Sequence, residues 1–128
     1  MNQIVVNIKW IMLVSGALTC TMIYAAIDPQ AALQSMFGST LQGPVAEIVV
    51  RNWGALITIV GGMLIYGAFD PLGRALILTV AAVSKLIFIG LILTYGRHLL
   101  GHQAGVAVLI DSLEVALFIA YLVAARLR

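Results

Sequence analysis

Long apolar segments separated by short polar ones dominate the pattern of this chain. Four such segments cover about residues 9–27, 46–69, 75–95 and 105–125. Each is close to the roughly 20 residues that an α-helix needs to cross the hydrocarbon core of a bilayer. Inside these segments apolar and polar residues show almost no helical periodicity, as expected where lipid surrounds the helices. The pattern therefore predicts an all-α integral membrane protein with four transmembrane helices.

The connections between the segments predict how these helices are arranged. Residues 70–74 and 96–104 form short connections, which favour antiparallel neighbours and an up-down-up-down bundle. The longer first connection contains Pro29–Phe37 (PQAALQSMF), which predicts a short amphipathic helix on the membrane surface. We therefore expect one four-helix domain over residues 1–128, with a first span that is retained rather than cleaved as a signal peptide.

The first two spans end in a repeated phrase. Residues 23–29 are IYAAIDP and residues 65–71 are IYGAFDP. Tyrosine is typical of the membrane interface, and an Asp-Pro pair cannot continue a helix. We favour repeated use of the same stop signal, and a duplicated helix is the alternative.

Composition excludes several classes of protein. Hydrophobic residues make up 62% of the chain and charged residues 9%, against about 25% charged in soluble domains. The formal charge of +2 includes no basic run, so we expect no nucleic-acid partner. The single cysteine, Cys20, cannot form an intramolecular disulfide. No catalytic or cofactor-binding motif occurs, so we expect a non-enzymatic protein without a cofactor.

The basic residues near the span ends predict the orientation in the cell membrane. With the N-terminus inside, the cytoplasmic side carries Lys9, Arg74, Arg126 and Arg128, and the opposite side carries Arg51 and Arg97. Lysine and arginine are in excess on the cytoplasmic side of membrane proteins. Both termini are therefore expected in the cytoplasm.

Four ionisable residues lie inside the predicted spans, where each costs roughly 2.5–3.5 kcal/mol near a helix centre. They are Arg51, Lys85, Asp111 and Glu114. At about 1.5 Å per residue, Lys85 and Glu114 lie roughly 14 Å below the outer surface, and Arg51 and Asp111 roughly 8 Å below it. Asp111 and Glu114 share one helix face. Lys85 is therefore matched in depth with Glu114, and Arg51 with Asp111, and we expect a small buried polar network rather than two separate ion pairs.

This network has two interpretations. Glu47, four residues before Arg51, and the neighbouring Asn52 are expected to join it. Two acids and two bases make a neutral cluster, which is what stability alone requires, so the network could fix helix register. The alternative is that it lines a polar cavity for a ligand, an ion or a proton.

Small residues mark places where helices can approach closely. Those on the first two spans are Ser15, Gly16, Thr19, Gly54, Thr58 and Gly62. We expect packing within the chain, with an oligomer interface as the alternative.

Two histidines and two tryptophans complete the set of candidate residues. His98 and His102 are four apart and are weak metal-ligand candidates, because two ligands rarely suffice, so no metal is expected. Solvated interfacial histidines are the favoured interpretation. Trp10 and Trp53 are expected at opposite membrane surfaces, although Trp53 could instead cap the polar cluster.

Residues 51–93 (RNWGALITIVGGMLIYGAFDPLGRALILTVAAVSKLIFIGLIL) resemble small four-helix bacterial membrane proteins of the DoxX-like group. The shared features are a span-opening Arg51 followed by Trp and Gly, a glycine pair, a short proline loop with Arg74, and a third apolar span. The resemblance implies a four-helix membrane fold. Some members look like membrane partners of redox or stress-response proteins, and no catalytic residue carries over.

These observations support two functional hypotheses. The leading one is a small non-enzymatic membrane protein that acts as a subunit or scaffold and binds a lipid-like ligand. Its partners would be the lipid bilayer and either further copies of itself or another membrane protein. The alternative is a small proton- or ion-coupled transporter or channel that uses Lys85 and Glu114.

Overall fold

The computed structural model describes residues 2–126, which contain helices and no strand. The helices are α1 (Asn2–Cys20), α2 (Ile23–Ile27), α3 (Pro29–Phe37), α4 (Pro44–Phe69), α5 (Arg74–Tyr95) and α6 (Gln103–Arg126). A short 3-10 helix, Arg97–Leu99, lies between α5 and α6. Arg128, which entered the orientation prediction, lies outside the described residues.

Four stretches are long and apolar enough to cross a membrane, which confirms an all-helical chain with four candidate spans. They are Gln3–Ile27, Pro44–Phe69, Arg74–Tyr95 and Gln103–Arg126. Only 17–33% of their most apolar windows is buried inside the protein. Large apolar side chains such as Val6, Val45 and Leu109 point outward and are more than 70% exposed. An exterior of this kind suits an apolar solvent or a partner better than water.

The first span is interrupted, which the apolar pattern did not predict. Between α1 and α2, the amide of Thr21 donates to Leu18 O at 3.2 Å and the amide of Met22 donates to Thr19 O at 3.1 Å. These are the tighter bonds of a 3-10 turn. The Thr21 hydroxyl also donates to Leu18 O at 2.5 Å, a bond that commonly bends helices.

Helices α1 and α4 pack closely through glycines. A methyl group added at Gly16 would lie 2.8 Å from Gly61 O, and one at Gly61 would lie 2.8 Å from the Cys20 amide nitrogen. A methyl group at Gly54 would lie 2.7 Å from the Ala26 amide nitrogen, so the two chain segments run antiparallel. The close approach therefore depends on these three glycines.

Of the packing positions expected on α4, Thr58 lies on the face toward α1 and Gly62 does not. A methyl group added at Gly62 would meet no atom within 4 Å, so Gly61 replaces Gly62 at the interface. The reason is helical geometry, because residues 54, 58 and 61 follow a four-then-three spacing that stays on one face. Thr58 lies on that face, and its hydroxyl donates to Gly54 O at 2.7 Å.

Helix α3 covers one end of the bundle, called here the α3 end. It has the bounds expected from the sequence, with Asp28 Oδ1 accepting from the Ala31 amide at its start and Gly38 in a left-handed conformation at its end. Its apolar face is buried, with Ala32 and Leu33 in one cluster with residues of α2 and α4. This face therefore packs on the bundle instead of pointing away from it.

The opposite end of the bundle, near the turn at residues 70–73, is filled by an apolar core. Its largest fully buried side chains are Met12, Leu64, Leu78 and Phe118. They come from α1, α4, α5 and α6, so all four long helices meet in this half. These buried side chains therefore close this half of the bundle.

In each of the two repeated phrases, an arginine from another part of the chain donates hydrogen bonds to carbonyl groups at the end of the helix. Arg51 Nη1 donates to Ala26 O at 2.6 Å, at the end of α2. Arg74 Nη2 donates to Ala68 O at 2.9 Å, at the end of α4. Ala26 and Ala68 occupy the same position in the phrase. A cation at a helix C-terminus satisfies carbonyl groups that have no intrahelical partner.

Candidate functional site

Lys85 forms the centre of a buried charged triad, defined as Lys85, Asp111 and Glu114. Lys85 Nζ lies 3.0 Å from Asp111 Oδ1 and 3.4 Å from Glu114 Oε2. It also donates to the Thr19 hydroxyl at 3.2 Å. Because Asp111 and Glu114 are three residues apart on α6, both reach the same ammonium group on α5. The triad therefore connects α1, α5 and α6.

The two carboxylates of the triad are not equivalent. The Asp111 side chain is 18% exposed and accepts a hydrogen bond from Lys85. The Glu114 side chain is 7% exposed, and its Oε2 atom accepts no hydrogen bond within the described chain. Ser15, which is also buried, lies beside the Glu114 carboxyl group. Glu114 is therefore a buried acid with unused capacity to accept hydrogen bonds.

Arg51 does not join the triad, which corrects its expected place in one buried network with Asp111. Its guanidinium binds the end of α2, and its side chain is 47% exposed. Glu47 Oε1 lies 3.9 Å from Arg51 Nη2, and Asn52 is exposed on the outside of α4. The expected network thus separates into an exposed Arg51–Glu47 pair and a buried group of one cation and two acids.

The triad lies in the wall of a partly open cavity, called here the groove. Its volume is about 1120 Å³. Along α5 it extends from Thr79 to Leu91, about 18 Å at 1.5 Å per residue. The other α5 residues that line it recur every three or four positions, so they form one face. They include Val80, Val83, Ser84, Ile87 and Phe88.

The groove opens outward between α4 and α5. Near the turn at residues 70–73 these helices touch, with Gly67 against Ile77. Nearer the α3 end both helices line the groove. The apolar lining side chains that are more than 50% exposed are Leu56 of α4, Ile87 and Leu91 of α5, and Val106 of α6. If the spans cross a bilayer, this opening faces the acyl chains of the lipids.

Trp53 lies at the α3 end of the groove. Its ring packs on Phe37 of α3, with 6.1 Å between the ring centroids, and it lines the cavity. Trp10 is 63% exposed at the other end of the molecule. There the Lys9 ammonium lies 5.7 Å from the Trp10 ring and 4.7 Å from the Phe69 ring. Only Trp53 can therefore report on the groove.

The two histidines do not share a helix face. His98 lies in the 3-10 helix, and His102 follows the turn after it, with its ring against Gly38. Both residues are exposed. Among residues 2–126, no group of three or more His, Cys, Asp or Glu side chains is placed to hold a metal ion.

Two parts of the site were missed by reasoning from the sequence. Thr19 was expected only as a packing residue, yet its hydroxyl accepts a hydrogen bond from Lys85. A polar cavity beside the network was one of the two interpretations of the sequence, but the apolar walls of the groove were missed, because apolar side chains that line a cavity look the same in sequence as those that face lipid. The three-residue spacing of Asp111 and Glu114 was the one available signal that both could bind a single lysine.

Comparison with known proteins adds no family to this description. No protein-family model, no curated protein and no solved structure gives a significant match to the chain. The resemblance of residues 51–93 to DoxX-like proteins therefore stays a prediction. The functional proposal depends on the groove and its charged triad alone.

Proposed function

We propose that this chain is a non-enzymatic, multi-pass cell-membrane protein that binds a lipid-like amphiphile in the groove and serves as a subunit or scaffold. The observation that carries the proposal is the position of the charged triad in the wall of the groove. Lys85, Asp111 and Glu114 lie in the wall of a large groove whose other walls are mainly apolar. A ligand with an apolar chain and one polar group matches both features.

The size and opening of the groove support a membrane-dissolved ligand. At about 1120 Å³, it is at least as large as typical small-molecule sites, which measure roughly 300–1,000 Å³. Its exposed rim is mainly apolar and includes Leu56 and Ile87, so a ligand could enter from the acyl-chain region without crossing water. The triad would then supply the few polar contacts that fix orientation in such sites.

The proposed orientation places both termini in the cytoplasm. Lys9 and Arg74 lie at the end of the bundle that is opposite to α3, and Arg126 ends α6 on that side. At the α3 end, Arg51 is bound to carbonyl groups of α2, and Arg97 binds Leu93 O. The excess of basic residues away from α3 supports a cytoplasmic location for that end.

Binding of a neutral amphiphile tests the proposal. We would add tetradecanol to the purified protein in lipid nanodiscs and follow Trp53 fluorescence in a Trp10→Phe background, since the chain has two tryptophans. Ala107 lines the groove, and Ala17 is exposed on α1 outside it. We expect Ala107→Phe to weaken binding at least tenfold and Ala17→Phe to leave it unchanged.

Two results would contradict the proposal. One is a Trp53 signal that does not saturate with tetradecanol in the parent protein. The other is equal binding by the Ala107→Phe and Ala17→Phe variants, because the ligand would then lie outside the groove.

One observation favours a small proton- or ion-coupled transporter as the second candidate function. Glu114 Oε2 is buried beside the groove without a hydrogen bond, as a proton-carrying acid would be. The apolar core around Leu64 and Phe118 argues against a continuous path through the bundle in this conformation. Ion- or proton-driven flux into proteoliposomes, abolished by Glu114→Gln and retained in Glu47→Gln, would favour transport. Absence of flux under every gradient would exclude it.

A further inference from the structure

The charged triad is not balanced. With all three side chains ionised, Lys85 supplies one positive charge, and Asp111 and Glu114 supply two negative charges. An uncompensated charge in an apolar interior costs several kcal/mol. A buried site of this composition therefore needs one more positive charge, which is a bound proton or a second cation.

No other cation on the surrounding helices supplies that charge. Lys85 is the only basic residue among the described residues that line the groove. Outside the triad, the polar side chains that line the groove are uncharged, and they are Thr19, Thr21, Tyr24, Ser35, Thr79, Ser84 and Gln103. The part of α4 that lines the groove contributes only apolar and aromatic side chains. Arg51, the nearest basic residue in the expected network, binds the end of α2.

Glu114 is the place where the missing charge can bind. Lys85 already donates a hydrogen bond to Asp111 Oδ1 at 3.0 Å. Glu114 Oε2 is 3.4 Å from the same ammonium group but accepts no hydrogen bond, and the residue is 5% exposed. A buried acceptor without a donor is destabilising, and more so when it is charged. A donor that enters through the groove would remove this cost.

We propose that the amphiphile bound in the groove carries a monovalent cationic head group, such as an ammonium, which replaces a proton on the Asp111–Glu114 pair. This inference rests on the proposed function and names the class of ligand. With the cation bound, two positive and two negative charges balance. Without it, one carboxyl group holds a proton, which is released to solvent when the ligand binds. An anionic head group would leave two excess negative charges and is disfavoured.

Three amphiphiles with the same alkyl chain test the inference. We would compare tetradecylammonium, tetradecanol and tetradecyl sulfate by Trp53 fluorescence in the Trp10→Phe protein, in nanodiscs whose lipids carry no net charge. We expect the ammonium compound to bind at least tenfold more tightly than tetradecanol, and its affinity to weaken as the pH falls. An indicator dye in weak buffer should record about one proton released per ligand.

Matched variants locate the preference at the triad. Glu114→Gln should lose the tenfold preference for the ammonium compound over tetradecanol, and it should lose the proton release. Glu47→Gln, which removes an exposed glutamate outside the groove, should keep both. If Glu114→Gln does not fold, Asp111→Asn provides the same test, and the comparison of the three ligands needs no variant.

Each remaining outcome has a distinct meaning. Equal binding of all three amphiphiles would overturn the inference and leave the proposed function standing. Tighter binding of tetradecyl sulfate would also overturn it, because the head group would then belong to Lys85. Binding of none of the three would overturn the proposed function itself.

Discussion

Lys85 is the residue on which the buried charges depend. Its ammonium group contacts both acids of the triad and the Thr19 hydroxyl, and it is 8% exposed. Removing one partner of a buried ion pair is far more damaging than removing all partners together, because the remaining charge stays buried. The stability of variants at these positions should therefore be strongly non-additive.

Lys85→Met should destabilise the protein by about 3–5 kcal/mol, since the two acids of the triad would remain buried without a cation. Adding Asp111→Asn and Glu114→Gln should recover at least half of this loss, because no buried charge is left. Thermal unfolding in detergent micelles measures both effects. Lys9→Met, which removes an exposed lysine, is the control and should change little. A triple variant no more stable than Lys85→Met would contradict the proposed coupling.

Counting along the sequence predicted the depth of the charged side chains in the membrane, but it did not predict how each helix is rotated about its axis. Counting residues from the span ends predicts that Lys85 and Glu114 lie at one depth, and these two side chains are 3.4 Å apart. Arg51 and Asp111 were also expected at one depth, yet Arg51 is turned toward the end of α2. The apolar pattern cannot show rotation, because a helix face toward lipid and one toward the core are equally apolar.

The interface of α1 and α4 provides a test at neighbouring positions. A methyl group at Gly61 would lie 2.7 Å from Cys20 Sγ and 2.9 Å from Gly16 O, whereas one at Gly62 meets nothing within 4 Å. Overpacking costs about 1–3 kcal/mol, and alanine favours a helix over glycine by about 1 kcal/mol. Gly61→Ala should therefore lower the unfolding temperature, and Gly62→Ala should hold or raise it. The opposite order would show that the two helices pack on other faces.

The contact of Arg51 with the end of α2 provides a second test at the level of a single helix. Arg51→Met should cost about 1 kcal/mol of stability, because the carbonyl groups of Ala26 and Ile27 lose a charged donor. Glu47→Gln should cost almost nothing, since its 3.9 Å pair with Arg51 is nearly half exposed. Thermal unfolding of the two variants compares them directly. Equal losses would mean that Arg51 acts through Glu47 and not through the helix end.

The elements themselves were largely predictable. Length and apolar content predict four spans, and the bounds of α3 follow from its Asp28 and Gly38 caps. The break between α1 and α2 was not predictable in the same way, because threonine occurs in unbroken membrane helices too. It depends on hydroxyl groups that bind the backbone, as Thr21 binds Leu18 O.

At the scale of the whole molecule, the bundle is asymmetric from end to end. The half near the turn at residues 70–73 is closed by Met12, Leu64, Leu78 and Phe118. The groove extends from the α3 end past the middle of the bundle, and Lys85 lies about midway along α5. A ligand that enters between α4 and α5 would therefore reach the charges without opening the closed half. The orientation of the bundle therefore matters for function. It determines which surface of the membrane is nearer to the groove.

Cysteine labelling tests that orientation. Ser39 and Leu72 are exposed at opposite ends of the bundle, and the chain has a single native cysteine. In a Cys20→Ala background, Ser39→Cys should react with a membrane-impermeant maleimide in intact cells, because the basic residues favour a cytoplasmic location for the other end. Leu72→Cys should react only after the cells are permeabilised. The reverse pattern would place the groove in the cytoplasmic half of the membrane, and equal labelling of both positions would contradict a single orientation.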